Sequence, residues 1–271
     1  MKISGLVLTY NNANILDRCL SSLDFVDEIV TIDSFSKDTT EVICKKYNTV
    51  FLKNKYENYS KQIEFGISNC KNELILILDS DEVITGQLKD EIKNLIKVFH
   101  NEKFSGAYIP RRVYFLNKFI NHGKWYPDYQ FRFFHKDRVN IIHREIHSGV
   151  VPLFESVKLK FDLIHYTYEN IFEYMERINK YTSLEVSNLI VSNKKFKKRK
   201  LFLNPISEFL RMFFVNKGYK DGMAGFTLAS LSAVYKFLSY LKLWEYNMNK
   251  ESGTTLPPIK NTDFENKFNK V

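Results

Sequence analysis

A chain of 271 residues is long enough to bury one large core, or one core with an appendage. Its 44% hydrophobic and 26% charged content is ordinary for a globular protein. The formal charge of +9 favours anionic partners: nucleic acid, a membrane surface or phosphorylated substrates. Cys19, Cys44 and Cys70 match no zinc spacing, and an odd count gives no disulfide framework, so buried thiols in a reducing compartment are expected. The N-terminal apolar run is too short for a signal peptide and lacks a small-residue cleavage site. A chain that stays on the cytoplasmic side is the expectation.

Ile3 to Tyr10 reads as an apolar strand, and Asn11 and Asn12 follow as turn or cap residues. Ala13 to Leu23 has helical spacing, with Ile15, Leu16, Cys19, Leu20 and Leu23 on one face. Glu28 to Asp33 is a second strand, followed by the polar turn SFSKDTT and a helix from Thr40 to Tyr47. Thr49 to Lys53 is a short strand and Tyr59 to Asn69 a helix. Leu74 to Leu78 is what a strand buried on both faces requires, and it ends in Asp79, Asp81 and Glu82. Gln87 to Phe99 is an amphipathic helix.

Four βα units in the first 100 residues predict an α/β fold, with a mostly parallel sheet flanked by helices. Neither GxGxxG nor GxxxxGK[ST] occurs, so no dinucleotide fingerprint or Walker loop is present. Three strand ends instead carry polar groups: Thr9 with Asn11, Asp33 with Ser34, and Asp79 with Asp81. Ligands bind at such carboxyl ends in open α/β sheets. Two aspartates one residue apart can hold one hard cation, which neutralises a diphosphate. Asp33 suits a nucleoside hydroxyl or base, and equally suits a turn carboxylate or helix cap.

LTYNN (Leu8 to Asn12), IDSFSKDTT (Ile32 to Thr40) and LDSDE (Leu78 to Glu82) resemble the three ordered signatures of inverting glycosyltransferase family 2. That resemblance implies the GT-A fold and a nucleotide-sugar donor. It implies that Thr9, Tyr10 and Asn11 line the donor pocket and that Asp33, with Ser34, contacts the nucleoside. It also implies that Asp79 and Asp81, with Ser80 between them, hold a divalent metal (Mn2+ or Mg2+) and the donor diphosphate.

The middle of the chain is basic and aromatic. Gly106 to Phe115 reads as a strand bearing Arg111 and Arg112, Lys118 to Trp125 as a connection, and Tyr129 to Phe134 as a further strand with Arg132. Aromatic faces suit a sugar and guanidinium groups suit phosphate; a basic half-buried hairpin explains the same residues. The stretch from Pro110 to Phe134 is similar to the subgroup of family 2 that builds lipopolysaccharide cores, of the β-1,4-glucosyltransferase type. The implied donor is UDP-glucose and the implied acceptor a lipid-linked saccharide; Arg111, Arg112, Trp125, Arg132 and His147 are the residues expected to bind the acceptor or the diphosphate. An inverting transfer needs a base for the acceptor hydroxyl, and Asp128 and Glu145 are both candidates. His143, Glu145 and His147 have the order HxExH rather than HExxH, which argues against a zinc protease. His165, in LIHYTY, resembles a metal or diphosphate ligand of the family and also fits a core histidine.

Ile171 to Val191 reads as a helix. KKFKKRK (Lys194 to Lys200) is the densest basic cluster, Pro205 opens the next helix, and Ala224 to Trp244 is a long apolar stretch interrupted by Lys236 and Lys242. The lysines argue against a membrane span. The pattern fits helices lying on an anionic membrane surface, peripheral on the inner face of the cytoplasmic membrane, and fits an ordinary helical subdomain with a solvated loop. No motif supports nucleic-acid binding. The organisation expected is a GT-A domain over 1–165 (nucleotide-sugar half 1–100, acceptor half 101–165), a helical region over 166–250 and a tail over 251–271. The competing classes are a non-catalytic glycan- or membrane-binding protein and a nucleotidyltransferase. The latter needs a basic, Gly-rich turn that Leu8 to Asn14 lacks.

Overall fold

The computed structural model describes residues 1–143, 149–168, 170–192 and 194–251. Glu145 and His147, and the tail from Ser252 onward, lie outside the described residues. The chain forms two compact units, Met1–Val113 with Pro127–Tyr166, and Tyr114–Tyr126 with the stretch from Thr167.

The first unit begins with β1 (Ile3–Thr9), α1 (Ala13–Ser21), β2 (Glu28–Asp33), α2 (Thr40–Lys46), β3 (Val50–Lys53), α3 (Tyr59–Ser68), β4 (Leu74–Asp79), β5 (Glu82–Ile84) and α4 (Gly86–Leu95). Strands β3, β2, β1 and β4 lie side by side in that order and all run parallel. The apolar run of β4 is buried from Leu74 to Leu78, each side chain contributing about 1.5–3 kcal/mol relative to exposure. Alternation divides it: Leu74, Leu76 and Leu78 pack with Leu16, Leu20, Leu88 and Ile92 from α1 and α4, while Ile75 and Ile77 pack with Ile63 of α3. Both faces are therefore covered by helices, as parallel strands require. Gly66 of α3 seats that helix directly on β1, where an added Cβ would come 2.5 Å from Leu6 Cδ1.

Beyond β4 the sheet continues with antiparallel strands. These are β6 (Phe104–Phe115) and, after the short β7 (Lys118–Phe119), β8 (Asp128–His135), which lies between β4 and β6. β9 (Val139–Ile142) and β10 (Gly149–Pro152) form a separate antiparallel pair, β11 (Glu155–Lys158) runs parallel to β6, and β12 (Leu163–Tyr168) pairs antiparallel with β5. β5 escapes sequence reading because three residues after an acidic turn carry no periodic signal. The helix expected to reach Phe99 ends at Leu95, and a 3-10 turn covers Ile96–His100.

The second unit holds α5 (Ile171–Val191), capped by the Asn170 side chain at Glu173 N (2.9 Å), α6 (Lys198–Leu210) and α7 (Gly222–Glu251). α6 starts earlier than expected. Pro205 lies inside the helix rather than opening it; its fixed φ is compatible with the helix, though its ring removes one amide hydrogen bond and crowds the carbonyl four residues back. Half of the basic cluster, Lys198 to Lys200, forms the first turn. A π-helical turn (Arg211–Val215) and a left-handed Lys217 (φ 57°) then reverse the chain at Gly218. Gly225 is pressed against that reversal: a Cβ there would lie 1.9 Å from the Gly218 carbonyl oxygen. Lys236 pairs with Glu185 (3.2 Å), and Lys242 donates to the Asn179 carbonyl (2.7 Å) and to Thr182 (2.8 Å), so both lysines of α7 are bound by α5. Among the described residues no helix is long and apolar enough to cross a membrane. The three cysteines are buried, and none joins a disulfide.

Candidate active site

Strand register sets three chain ends abreast. Thr9 lies beside Asp33 in the β1–β2 ladder, and Leu8 beside Asp79 in the β1–β4 ladder. Backbone bonds extend the alignment past the strands: Ser34 N donates to the Thr9 carbonyl (3.0 Å) and Ser80 N to that of Leu8 (3.1 Å). The Asn12 amide donates to Ser80 Oγ (2.8 Å). Asn11 takes a left-handed conformation (φ 46°), which asparagine tolerates better than most residues. Its N–H donates to Ser36 Oγ (2.7 Å) and its side-chain oxygen accepts from Lys37 N (2.7 Å).

Asp33 is fully buried. One of its oxygens accepts from Ser36 N (2.9 Å) and the other from the Ser36 hydroxyl, an Asx-type turn that fixes the carboxylate at the end of β2. Ser34 Oγ accepts from Gln62 (3.0 Å). Asp38 ties the same turn to the start of α1, accepting from Ala13 N (3.0 Å).

At the end of β4, Asp79 Oδ2 accepts from Arg132 Nη2 (2.6 Å), and Arg132 Nη1 donates to the Tyr59 hydroxyl. The same Nη2 reaches Glu82 Oε1 (3.0 Å), while Glu82 Oε2 accepts from the Asp79 backbone N–H (2.9 Å). Arg111 joins from β6. Its Nη1 lies 3.3 Å from Glu82 Oε1, and its Nε and Nη2 both donate to Asp128 Oδ2 (2.9 and 2.7 Å). Arg111 and Asp128 stand directly opposite each other in the β6–β8 ladder. Gln130 donates to the other Asp128 oxygen (2.8 Å). Arg112, the next residue, points to the opposite face and pairs with Asp162 (3.3 Å). Trp125 belongs to the second unit. The first unit thus gathers Asp79, Arg111, Asp128 and Arg132 into one network, and Arg112 stands outside it.

Burial opposes the charge of Arg132, and the carboxylates of Asp79 and Glu82 outweigh it, holding the guanidinium well above its ordinary pKa. Burial raises the Glu82 carboxyl, against the pull of Arg132. Arg132 Nε and His165 Nδ1 are buried without a hydrogen-bond partner. His165 Nε2 lies 3.4 Å from Asp81 Oδ2, and the Asp81 carbonyl accepts from Tyr166 N (2.9 Å).

The donor set can be tested against a divalent cation. Among the described residues no three His, Cys, Asp or Glu side chains form a complete metal cage. Asp79 and Asp81 offer hard oxygen donors whose side chains remain 30% and 16% exposed. Mg2+-type ions are ordinarily held by one or two carboxylates, with substrate phosphates and water completing the shell. The pair fits as the protein's share of such a site.

Glu82 closes the acidic strand end, yet sequence reading gave it no role. The signal available was its place in LDSDE, directly after the paired aspartates. Tyr59 and Ser36 were also missed. Ser36 could have been found from the Asp-x-x-Ser spacing of an Asx turn, whereas Tyr59 carries no local signal.

The helix-covered parallel sheet with acidic strand ends, extended by antiparallel strands, has the GT-A arrangement that the sequence resemblance implies. Residues 4–154 match the model for glycosyl transferase family 2, and the chain belongs to that family. Among relatives, it is 25% identical over 260 residues to the lipopolysaccharide core biosynthesis glycosyltransferase LpsC of Rhizobium meliloti (strain 1021), covering 90% of this chain and 93% of that protein. It is 25% identical over 271 residues to an uncharacterized glycosyltransferase of Rickettsia bellii (strain RML369-C), covering 96% and 92%. The fold is similar to that of the mannosyltransferase PcManGT from Pyrobaculum calidifontis in complex with GDP-Man and Mn2+. The TM-score is 0.52 at 10% identity, covering 90% of this chain and 87% of that one.

Proposed function

We propose that this glycosyltransferase is metal-dependent and inverting, and that it moves glucose from UDP-glucose to a lipid-linked saccharide in lipopolysaccharide or lipooligosaccharide core synthesis. The observation that carries the reading is that Asp33 and Asp79 end the two strands that flank β1, with Asp81 two residues beyond the end of β4. The name of the Rhizobium relative supports the acceptor class, and the GDP-Man and Mn2+ in the Pyrobaculum enzyme support a nucleotide sugar and a metal. The choice of UDP-glucose rests on the resemblance of the middle segment.

Asp33 and the Thr9–Asn11 strand end, with Ser34, hold the nucleoside. Asp81, with Asp79 beside it and Ser80 between them, holds a divalent cation that supplies positive charge to the diphosphate. In the transfer the acceptor oxygen bonds to the anomeric carbon as the bond to the diphosphate breaks, and that electron pair leaves with the nucleoside diphosphate. The acceptor proton passes to a carboxylate. Asp128 is held for that role by Arg111 and Gln130; Glu145 is the other candidate. Arg111 and Arg132 add cationic charge beside the site, and Arg112, Trp125 and His147 remain proposals for the acceptor.

The second unit supports a peripheral place on the inner face of the cytoplasmic membrane. α6 buries none of its residues, and Phe202, Leu203, Ile206, Leu210 and Phe214 recur at helical spacing while all remain exposed. KKFKKRK precedes and enters that helix. An apolar stripe next to a basic run suits anionic headgroups.

Calorimetric titration with UDP, with and without Mn2+, tests the donor site. Binding that requires Mn2+ and disappears in Asp81→Ala is expected. Equal binding by the variant, or no UDP binding by the wild type, overturns the UDP reading.

A further inference from the structure

We infer that Glu82 is a positioning residue of the site, tying the carboxylate on the donor side to the candidate base Asp128 on the acceptor side. The inference rests on the proposed roles of Asp79 and Asp128. Glu82 is fully buried, in a three-residue strand that faces His165 of β12. Its Oε2 fixes the backbone of Asp79. Its Oε1 receives two guanidinium groups, Nη2 of Arg132 and Nη1 of Arg111. Each arginine also binds one functional carboxylate, Arg132 Asp79 and Arg111 Asp128, and Arg132 has a further contact with the Tyr59 hydroxyl. A single oxygen is therefore shared by both arginines, and through them it links two carboxylates from different strands. Neither arginine bridges Asp79 and Asp128 directly, so the connection passes through Glu82. A buried carboxylate gives no necessary gain in stability, since a well-packed apolar replacement of a buried ion cluster is often as stable. It does hold two charged partners at fixed distances, which in-line displacement requires.

Four variants test the assignment: Glu82→Gln, Glu82→Asp, Arg111→Lys, and Glu82→Gln combined with Arg111→Lys. Gln turns an NH2 group toward donors. Asp keeps the charge but is one methylene too short to hold Asp79 and both arginines. Both Glu82 variants are expected to lose kcat, on the order of 10²-fold. The KM for the sugar donor and Mn2+-dependent UDP affinity should worsen by much less than kcat falls, because Asp81 and the nucleoside end keep their own contacts while only Asp79 and the candidate base shift. Glu82→Gln and Arg111→Lys should be non-additive in kcat. Full rescue by Asp, additive losses, or UDP affinity falling in step with kcat and melting temperature would each overturn the inference. If the Glu82 variants do not fold, Arg111→Lys alone decides on the more exposed side chain: unchanged kcat overturns the proposal. A ligand-free reading separates this inference from the donor assignment. The 15N resonance of Arg111 Nε–H, bonded to Asp128 in the wild type, should move in Glu82→Gln and Glu82→Asp even if UDP does not bind. An unmoved resonance refutes the tie.

Discussion

Arg132 holds Asp79 across 53 residues of sequence, with Nη2 2.6 Å from Oδ2. The first aspartate of LDSDE is thus oriented by the protein before any ligand arrives. Its partner is itself 5% exposed and fixed by Glu82 and Tyr59. Arg132, expected from sequence to meet acceptor phosphate or diphosphate, has its contacts in the structure with the site's own carboxylates.

Removing Arg132 takes from Asp79 its cation and leaves Glu82 the longer ion pair with Arg111 (3.3 Å). Arg132→Met should cost about 3–5 kcal/mol of stability, as does breaking other buried ion pairs. The measurement is urea unfolding. A change within the ordinary scatter of surface substitutions contradicts the network as described.

Lys180 gives a pH prediction from the second unit. Burial and the neighbouring charge of Arg177 push it down to about 8, below the ordinary lysine value of about 10.4. Between those two pH values the unfolded chain keeps the proton and the folded chain does not, so this residue makes stability rise with pH. Its contribution is present above the unfolded pKa and lost as pH falls through about 8. Lys180→Met should therefore be more stable than wild type at neutral pH, with the gap closing toward pH about 9.5. A gap that widens with pH refutes the assignment.

The thiols should be silent in the native protein. Burial pushes Cys44 up to about 11 and Cys70 up to about 12, and raises Cys19 well above its ordinary value, aided by Glu82, Asp81 and Asp79. Reaction with an aromatic disulfide at mildly alkaline pH should be slow, and all three cysteines should react once guanidinium unfolds the chain. Fast reaction of any one thiol in the folded state refutes its burial.

The exposed stripe of α6 predicts lipid binding. Phe202→Ser combined with Ile206→Ser should weaken sedimentation with anionic vesicles while leaving Mn2+-dependent UDP binding intact. Raising salt should weaken it further, because the lysine contribution is screened. Equal sedimentation of variant and wild type assigns the stripe to some other partner.

Much of the architecture was legible because burial leaves a periodic trace. The unbroken run Leu74 to Leu78 announced a strand with helices on both faces, and the spacing of α5 marked both of its ends, Ile171 and Val191. The paired aspartates were visible because they are neighbours in sequence. What holds them was not. Arg132, Tyr59 and Arg111 come from three different elements, and a long-range ion pair has no period to read. Pro205 misled for a different reason. Proline favours a helix's first turn, yet Pro205 stands eighth in α6, a placement that a local window does not distinguish from an opening.

The stretch from Tyr114 to Tyr126 folds with the helices rather than with the strands on either side of it in sequence. Asp221, immediately before α7, accepts from the backbone of Asn121 (3.1 Å) and His122 (2.8 Å), and the Asn216 carbonyl accepts from Gly123 N (2.9 Å). The polypeptide therefore passes between its units three times, and one proteolytic nick cannot release either unit intact. A chain shortened to its first 166 residues would carry thirteen residues stripped of the carboxylate and carbonyl that shape them. During synthesis that excursion leaves the ribosome well before α7, so it reaches its final form only when the last helix is made.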